Sequence, residues 1–385
     1  MLLGFNYIKN EKDGFYMDLS GTYKKSILLL LLLIVGAQLG AAVQSRAYSS
    51  GPDALGVWTP ADSLDSVVDV SVYGSYAYLA VNGAGIQILD IANPLNPQPE
   101  GNYTINRILK SIHYENEKIY LGVGNPSAIL IFNVTTPTSL VFDKEIGQNS
   151  TVYQVDVDGD YIVIADYSGS LMIANYTQNL YNVNDWWVAN NYWCLGVVVD
   201  GDFAYTATFA KGLVVWNLTD KTHPTIVAER PLGVNLYSVA FDGESKVILG
   251  GSAGFLALFD VSDPTVPTLL GDIDTDGGDL DALVITGSAA IGADYSYGIV
   301  TLSIAMSIPV EHTRLPPTER GHGVDVDATY IYGAMGFSGL YIWDLAAAIE
   351  GMEWEIPGFT LLLALIIIVT ITLVLKQKTL KFSIN

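Results

Sequence analysis

Apolar residues in this chain gather into short runs that close on a turn-forming residue, and one such run recurs. It reads IQILD ending at Asp90, ILIFN at Asn133, LMIAN at Asn175, LVVWN at Asn217, LALFD at Asp260, IVTLS at Ser303 and LYIWD at Asp344. Successive ends lie 41 to 43 positions apart. Self-similarity at one fixed period marks a repeat architecture. Each run is rich in β-branched and aromatic residues, as a strand buried on both faces requires. The closing Asp or Asn can accept a bond from backbone N–H groups just ahead of it, which turns the chain. Pro94, Pro137 and Pro264 follow three of the runs and stop the strand.

Around each run the pattern predicts three further strands. In the first copy, Val68, Val70 and Val72 alternate with Asp69, Ser71 and Tyr73, the period of two expected of a strand. Gly74-Ser75 turns the chain into Tyr76–Val81, and Asn82-Gly83 turns it again into the recurring run. Pro99–Ile105 reads as a shorter, more polar fourth strand. Four antiparallel strands in about 42 residues is the size of one propeller blade.

The first strands align in columns. Val70, Ile112, Val155, Val197, Val239, Leu283 and Val324 are all aliphatic, and Val72, Tyr114, Val157, Val199, Phe241, Ile285 and Val326 follow two positions later. One step before the first column stand Asp69, Ser111, Gln154, Gly196, Ser238, Ala282 and Gly323, small or polar, as crowding at a propeller axis demands. The seventh repeat lacks a fourth strand, whereas Ala54–Thr59 is a lone strand-like piece before the first. The expected fold is therefore an all-β, seven-bladed propeller over residues 53–350, with that piece completing the last blade and leaving no long sheet edge. Copies such as GSYAYLAVNGAGIQILDIANPLNP resemble the LVIVD-repeat β-propellers of exported and surface proteins. The resemblance implies a ring of blades and no single activity.

Charge narrows the partners. The net charge is −22, and between Gly51 and Glu355 only ten Lys and Arg face 37 Asp and Glu. Such a surface repels nucleic acid and suits an exported, soluble or cation-collecting domain. The single cysteine, Cys194, sits between apolar neighbours and reads as a small core residue.

Both ends are hydrophobic. Lys24 and Lys25 precede an apolar run from Ile27, extended through Val43 and followed by Ser45-Arg46-Ala47, which reads as a signal peptide over 1–47 with Met17 as a possible later start. A retained anchor is the alternative. Residues 351–358 form a linker, 359–375 an uncharged transmembrane helix, and 376–385 a tail with Lys376, Lys378 and Lys381 on the cytoplasmic side. Ile356-Pro357-Gly358-Phe359 resembles the Pro-Gly-Phe anchor signal of archaeal surface proteins, although plain retention of the span suits the ten-residue tail better. The propeller then faces the extracellular side of a cell membrane. Sequons at Asn102, Asn149, Asn133, Asn175 and Asn217 offer glycosylation sites. The last three occupy the turn position, where Asn is wanted regardless of sugar.

Three groups of residues carry candidate chemistry. The DIDTDGGDLD stretch holds Asp272, Asp274, Asp276, Asp279 and Asp281 at spacings resembling half a calcium loop, without the closing Glu. The residues opening each first strand, Val68, Lys110, Tyr153, Leu195, Tyr237, Asp281 and His322, should ring the channel mouth, with Lys110, Tyr153, Tyr237, Asp281 and His322 as candidate ligand-binding residues. Trp186-Trp187 and Tyr192-Trp193 form an aromatic knot that could hold sugar rings or pack between blades. His113, His223, His312 and His322 stand at no metal-ligand spacing. These features predict a membrane-anchored binding or scaffolding module for extracellular proteins or glycans. The rival readings are a hydrolase or lyase using the channel mouth, and a surface-layer component.

Overall fold

The computed structural model describes residues 7–10, 14–17, 51–147, 150–167, 170–177, 193–305, 308–317 and 319–350. The expected transmembrane span, the apolar N-terminal run, Asn149, Trp186, Trp187 and Tyr192 lie outside them. Among the described residues no helix is long and apolar enough to cross a membrane. Tyr7–Asn10 and Gly14–Met17 pair as a short antiparallel hairpin in a unit separate from the propeller, an element absent from the sequence pattern.

The propeller unit, Tyr48–Met352, is seven antiparallel sheets. Blade 1 comprises Ser66–Tyr73, Tyr76–Asn82, Gly85–Asp90 and Gln98–Tyr103. Blade 2 comprises Ile108–Glu115, Lys118–Gly124, Ala128–Thr136 and Ser139–Gly147. Blade 3 shows three strands among the described residues, Val152–Asp158, Tyr161–Asp166 and Ser170–Asn175. Blade 4 runs from Cys194–Asp200 to Thr225–Arg230, blade 5 from Leu236–Phe241 to Thr268–Asp274, and blade 6 from Leu280–Thr286 to Val310–Leu315, each with four strands. Blade 7 combines Gly323–Val326, Tyr330–Ala334 and Leu340–Asp344 with Gly56–Trp58 from the start of the ring.

The recurring run is the third strand of every blade, and its burial explains its visibility. In blade 1 four of the six residues of Gly85–Asp90 are buried, whereas none of the outer strand Gln98–Tyr103 is. The outer strand has one face on solvent and needs no fixed apolar pattern. The closing Asp turns the chain as expected: Asp90 Oδ1 accepts from Ala92 N at 2.8 Å and Asp260 Oδ1 from Ser262 N at 2.9 Å. After the seventh run the same bond becomes a helix cap. Asp344 Oδ1 accepts from Ala347 N at 2.8 Å and starts the short helix Leu345–Ile349, whose Ala348 is buried against blades 6 and 7.

The core is divided into seven wedges rather than pooled in one. Each hydrophobic cluster joins two neighbouring blades, from Tyr78 with Leu121 between blades 1 and 2 round to Val70 with Tyr332 between blades 7 and 1. Five polar residues of the inner strands lace the wedges near the axis, each accepting a backbone N–H from the next blade. Asp69 Oδ2 accepts from Ile112 N at 2.8 Å, Ser71 Oγ from Tyr114 N at 3.0 Å and Gln154 Oε1 from Val197 N at 3.1 Å. Asp156 Oδ2 accepts from Val199 N at 2.7 Å, and Asp325 Oδ2 closes the circle onto Val72 N at 2.7 Å. Asp69 and Gln154 in the small-or-polar column, with Ser71, Asp156 and Asp325 two positions further along their strands, thus satisfy backbone donors that adjacent sheets cannot pair.

Candidate functional site at the channel mouth

A single backbone irregularity builds the mouth. In blades 1 to 6 the pairing between first and second strands skips one residue. In blade 1, Val67 faces Val81 and Asp69 faces Ala80, leaving Val68 without a partner. The skipped residues in the other five are Lys110, Tyr153, Leu195, Tyr237 and Asp281. A β-bulge of this kind re-aims one side chain without disturbing the rest of the ladder. All six line one axial cavity of about 850 Å³, joined by His322, which immediately precedes the first strand of blade 7. The structure therefore brings together every mouth residue the repeat alignment placed there.

Their contacts divide the mouth into two sides. On one side Lys110 Nζ lies 5.2 Å from the centre of the Tyr153 ring, which begins an arc of aromatics. Tyr153 neighbours Tyr167 at 5.6 Å, Tyr167 stacks on Trp193 at 5.5 Å, Trp193 meets Phe209 at 5.1 Å, and Phe209 meets Tyr237 edge-on at 6.3 Å. Tyr167 is 41% exposed. On the other side His322 Nδ1 lies 3.7 Å from Asp281 Oδ2, Tyr295 meets His322 edge-on at 5.2 Å, and Arg320 covers the Tyr295 ring at 4.9 Å. Burial raises the Asp281 carboxyl above its ordinary range despite His322. Burial and the bonded Asp279 carboxylate raise the Tyr237 phenol.

Tyr167, Phe209, Tyr295 and Arg320 were missed by sequence reasoning because they follow second strands or lie in loops between blades. Tyr167, Phe209 and Tyr295 each come directly after a second strand, which is the register signal that could have found them.

The acidic stretch is not one loop. Asp272 and Asp274 are exposed on the outer strand of blade 5, Asp276 occupies a left-handed turn at φ 49°, and only Asp279 and Asp281 reach the mouth side. Among the described residues these carboxylates bring no three ligand atoms together. The stretch is organised instead by Asp294, which accepts from Gly278 N at 3.0 Å. Of the sequons, Asn102 is exposed and Asn133 and Asn217 half-buried, but Asn175 is 3% exposed, leaving no room for a glycan in the folded chain. Cys194 is fully buried, and burial pushes its thiol up to about 12.

Deeper in the channel, one face of the inner strands carries titratable groups. Burial pushes Asp69 up to about 7 and Asp325 up to about 6, outweighing the backbone N–H bonds each accepts. Asp156 is raised for the same reason. Burial opposes the charge of His113, but Glu115, Asp156 and Asp325 more than compensate, so its pKa is raised.

All four shifts have the same sign in linkage. Between the unfolded carboxylate range near 4 and pH 7, the folded chain holds protons that the unfolded chain releases, so stability falls as pH rises. For His113, stability is likewise lost as pH rises through its folded pKa. The turn carboxylates Asp260 and Asp263 are lowered by the Ser262 and Thr265 hydroxyls, and their contribution is lost only as pH falls below about 4. The melting temperature is expected to be several degrees higher at pH 5 than at pH 8, and Asp69→Asn should flatten the profile. An Asp69→Asn profile as steep as wild type would show that other groups carry the dependence.

The fold and site together define a seven-bladed β-propeller with a decorated channel mouth. Residues 66–105, 151–174, 194–229 and 252–275 match the LVIVD repeat, in keeping with the resemblance that the recurring run carries. No curated protein matches the chain. Among solved structures it is similar to the computationally designed Ika8 protein, at 9% identity over 72% of this chain and 83% of that one, TM-score 0.55. It is also similar to a chain of the Mitotic Checkpoint Complex, at 10% identity over 78% and 96%, TM-score 0.60. At these identities the likeness concerns fold alone.

Proposed function

We propose that the protein is a binding module held on the extracellular side of a cell membrane by residues 359–375, and that it takes glycan or protein ligands across its channel mouth. The observation that carries this reading is the aromatic arc from Tyr153 to Tyr237, flanked by Lys110 at one end and the Asp281–His322 pair at the other. Ring faces beside a few oriented polar groups suit sugars and peptide side chains alike. The acidic surface, the sequon at exposed Asn102 and the hydrophobic ends support export.

The rival reading, a hydrolase or lyase, draws on the same Asp281–His322 pair as an acid–base couple. Glycan arrays and pull-downs against surface proteins separate these readings. Tyr167→Ala with Trp193→Ala should weaken capture by about tenfold or more, the loss expected of aromatic anchors. Unchanged capture would sink the arc as the binding surface, and turnover abolished by His322→Gln would favour the enzyme.

A further inference from the structure

His113, Glu115 and Asp156 meet at the axis beyond the bulge positions, on the inner strands of blades 2 and 3. His113 and Glu115 are two residues apart on one strand, so their side chains share a face. Asp156 follows His113 by 43 positions and occupies the same column one blade further round. His113 Nε2 lies 3.3 Å from Glu115 Oε2 and 3.9 Å from Asp156 Oδ1, and the ligand atoms of the three residues all lie within 4.8 Å of one another. The shortest of these matches the edge of a small coordination polyhedron: four ligands at ~2.1 Å around a tetrahedral ion stand roughly 3.4 Å apart.

Two further features fit an ion. Asp156 is held in place from outside the cluster, since Oδ2 accepts from Val199 N at 2.7 Å and Oδ1 from Val157 N at 2.9 Å. A carboxylate fixed in this way is pre-oriented, as metal-binding carboxylates are. The site opens toward the axial cavity through His113, which lines it together with Asp325. His113, Glu115 and Asp156 have side-chain exposures of 32%, 34% and 20%, enough for entry by a small hydrated cation.

We propose that His113, Glu115 and Asp156 form a binding site for a single divalent transition-metal ion of the zinc type. One imidazole nitrogen and two carboxylates suit zinc or manganese and give calcium too few oxygens. Two carboxylate charges balance the ion. The site stands independently of ligand binding at the mouth, because the aromatic arc and the Asp281–His322 pair contribute nothing to it.

The test is calorimetric titration of the chelator-treated protein with zinc, manganese and calcium, alongside melting curves and the visible spectrum of the cobalt form. One zinc per chain, a raised melting temperature and tetrahedral cobalt bands are expected, with calcium giving no comparable heat. His113→Gln should weaken zinc by about 100-fold or more, since losing even a residue that only supports a ligand costs about 10–100-fold. Glu115→Gln provides a second variant at a partly exposed position, and His223→Gln, at a surface histidine beside Asp220, should leave binding unchanged. The proposal is overturned if zinc gives no heat, if His113→Gln and Glu115→Gln both bind as wild type, or if His223→Gln abolishes the binding.

Discussion

Asp294→Ala is expected to cost about 3–5 kcal/mol and to bring the propeller close to unfolding, because it removes a buried counter-charge of Arg314 and leaves three backbone N–H groups without their acceptor. Asp294 is fully buried at the end of the second strand of blade 6. One carboxylate gathers three separate segments. It accepts from Gly278 N at 3.0 Å in the loop between blades 5 and 6, from Ser296 N at 2.8 Å and Tyr297 N at 3.0 Å in its own turn, and from Arg314 Nη1 at 3.0 Å on the outer strand. Arg314 in turn donates to Thr275 O at 2.7 Å and pairs with Glu311 at 2.9 Å. Asp294→Asn keeps the shape and some of the acceptor capacity but loses the charge, so its cost should fall between wild type and alanine. Urea unfolding of the three proteins reads the order directly. An alanine variant within about 1 kcal/mol of wild type would mean that Arg314 is held well enough by Glu311 and Thr275.

The second large effect concerns ring closure. Removing residues 51–59 should lower the melting temperature by about ten degrees or more and drive self-association. Gly56–Trp58 pairs in register with Ile342, Tyr341 and Leu340, and Leu55 N donates to Ile342 O at 2.7 Å. Without it the third strand of blade 7 becomes a bare edge, and Trp58 leaves the wedge between blades 7 and 1. The fit is tight: a Cβ on Gly339 would lie 1.9 Å from Trp58 O, and one on Gly56 would lie 1.9 Å from Pro94 O. Gly56→Val should therefore destabilise by overpacking, by about 1–3 kcal/mol, even though the strand remains present. Light scattering with melting curves distinguishes the two variants. A truncated chain that stays monomeric with an unchanged melting temperature would show that closure contributes little.

The ring was readable because one of its buried strands keeps a single apolar pattern from copy to copy. Ile86, Leu89, Phe259 and Trp343 must all be apolar, and the residue after each run must turn the chain, so the period survives variation elsewhere. The closing strand was readable from simple accounting: a seventh repeat one strand short, and one strand spare at the start. The mouth residues followed from the same alignment, although the bulge that aims them was not visible, since it lies in the pairing rather than in residue type.

The channel cluster escaped notice for a different reason. Metal-ligand spacing is a local sequence signal, whereas His113 and Asp156 are separated by a full repeat and meet only when blades stand side by side. The column Ser71, His113, Asp156, Val198, Ala240, Val284 and Asp325 contained the signal. The acidic stretch misled in the opposite direction. Its spacing resembles a calcium loop, but an outer strand keeps Asp272 and Asp274 extended, and the nearby backbone folds around Asp294 instead.

The skipped position in six inner strands separates two demands that compete in most proteins. Ladder residues on either side must fit their wedges, whereas Val68, Lys110, Tyr153, Leu195, Tyr237 and Asp281 answer to no partner across the sheet. Their identities can drift, already ranging here from valine to aspartate, while the scaffold stays still. Chains sharing this repeat can consequently present unrelated chemistry from one unchanging frame, and kinship in the blades carries no promise of kinship in what is bound.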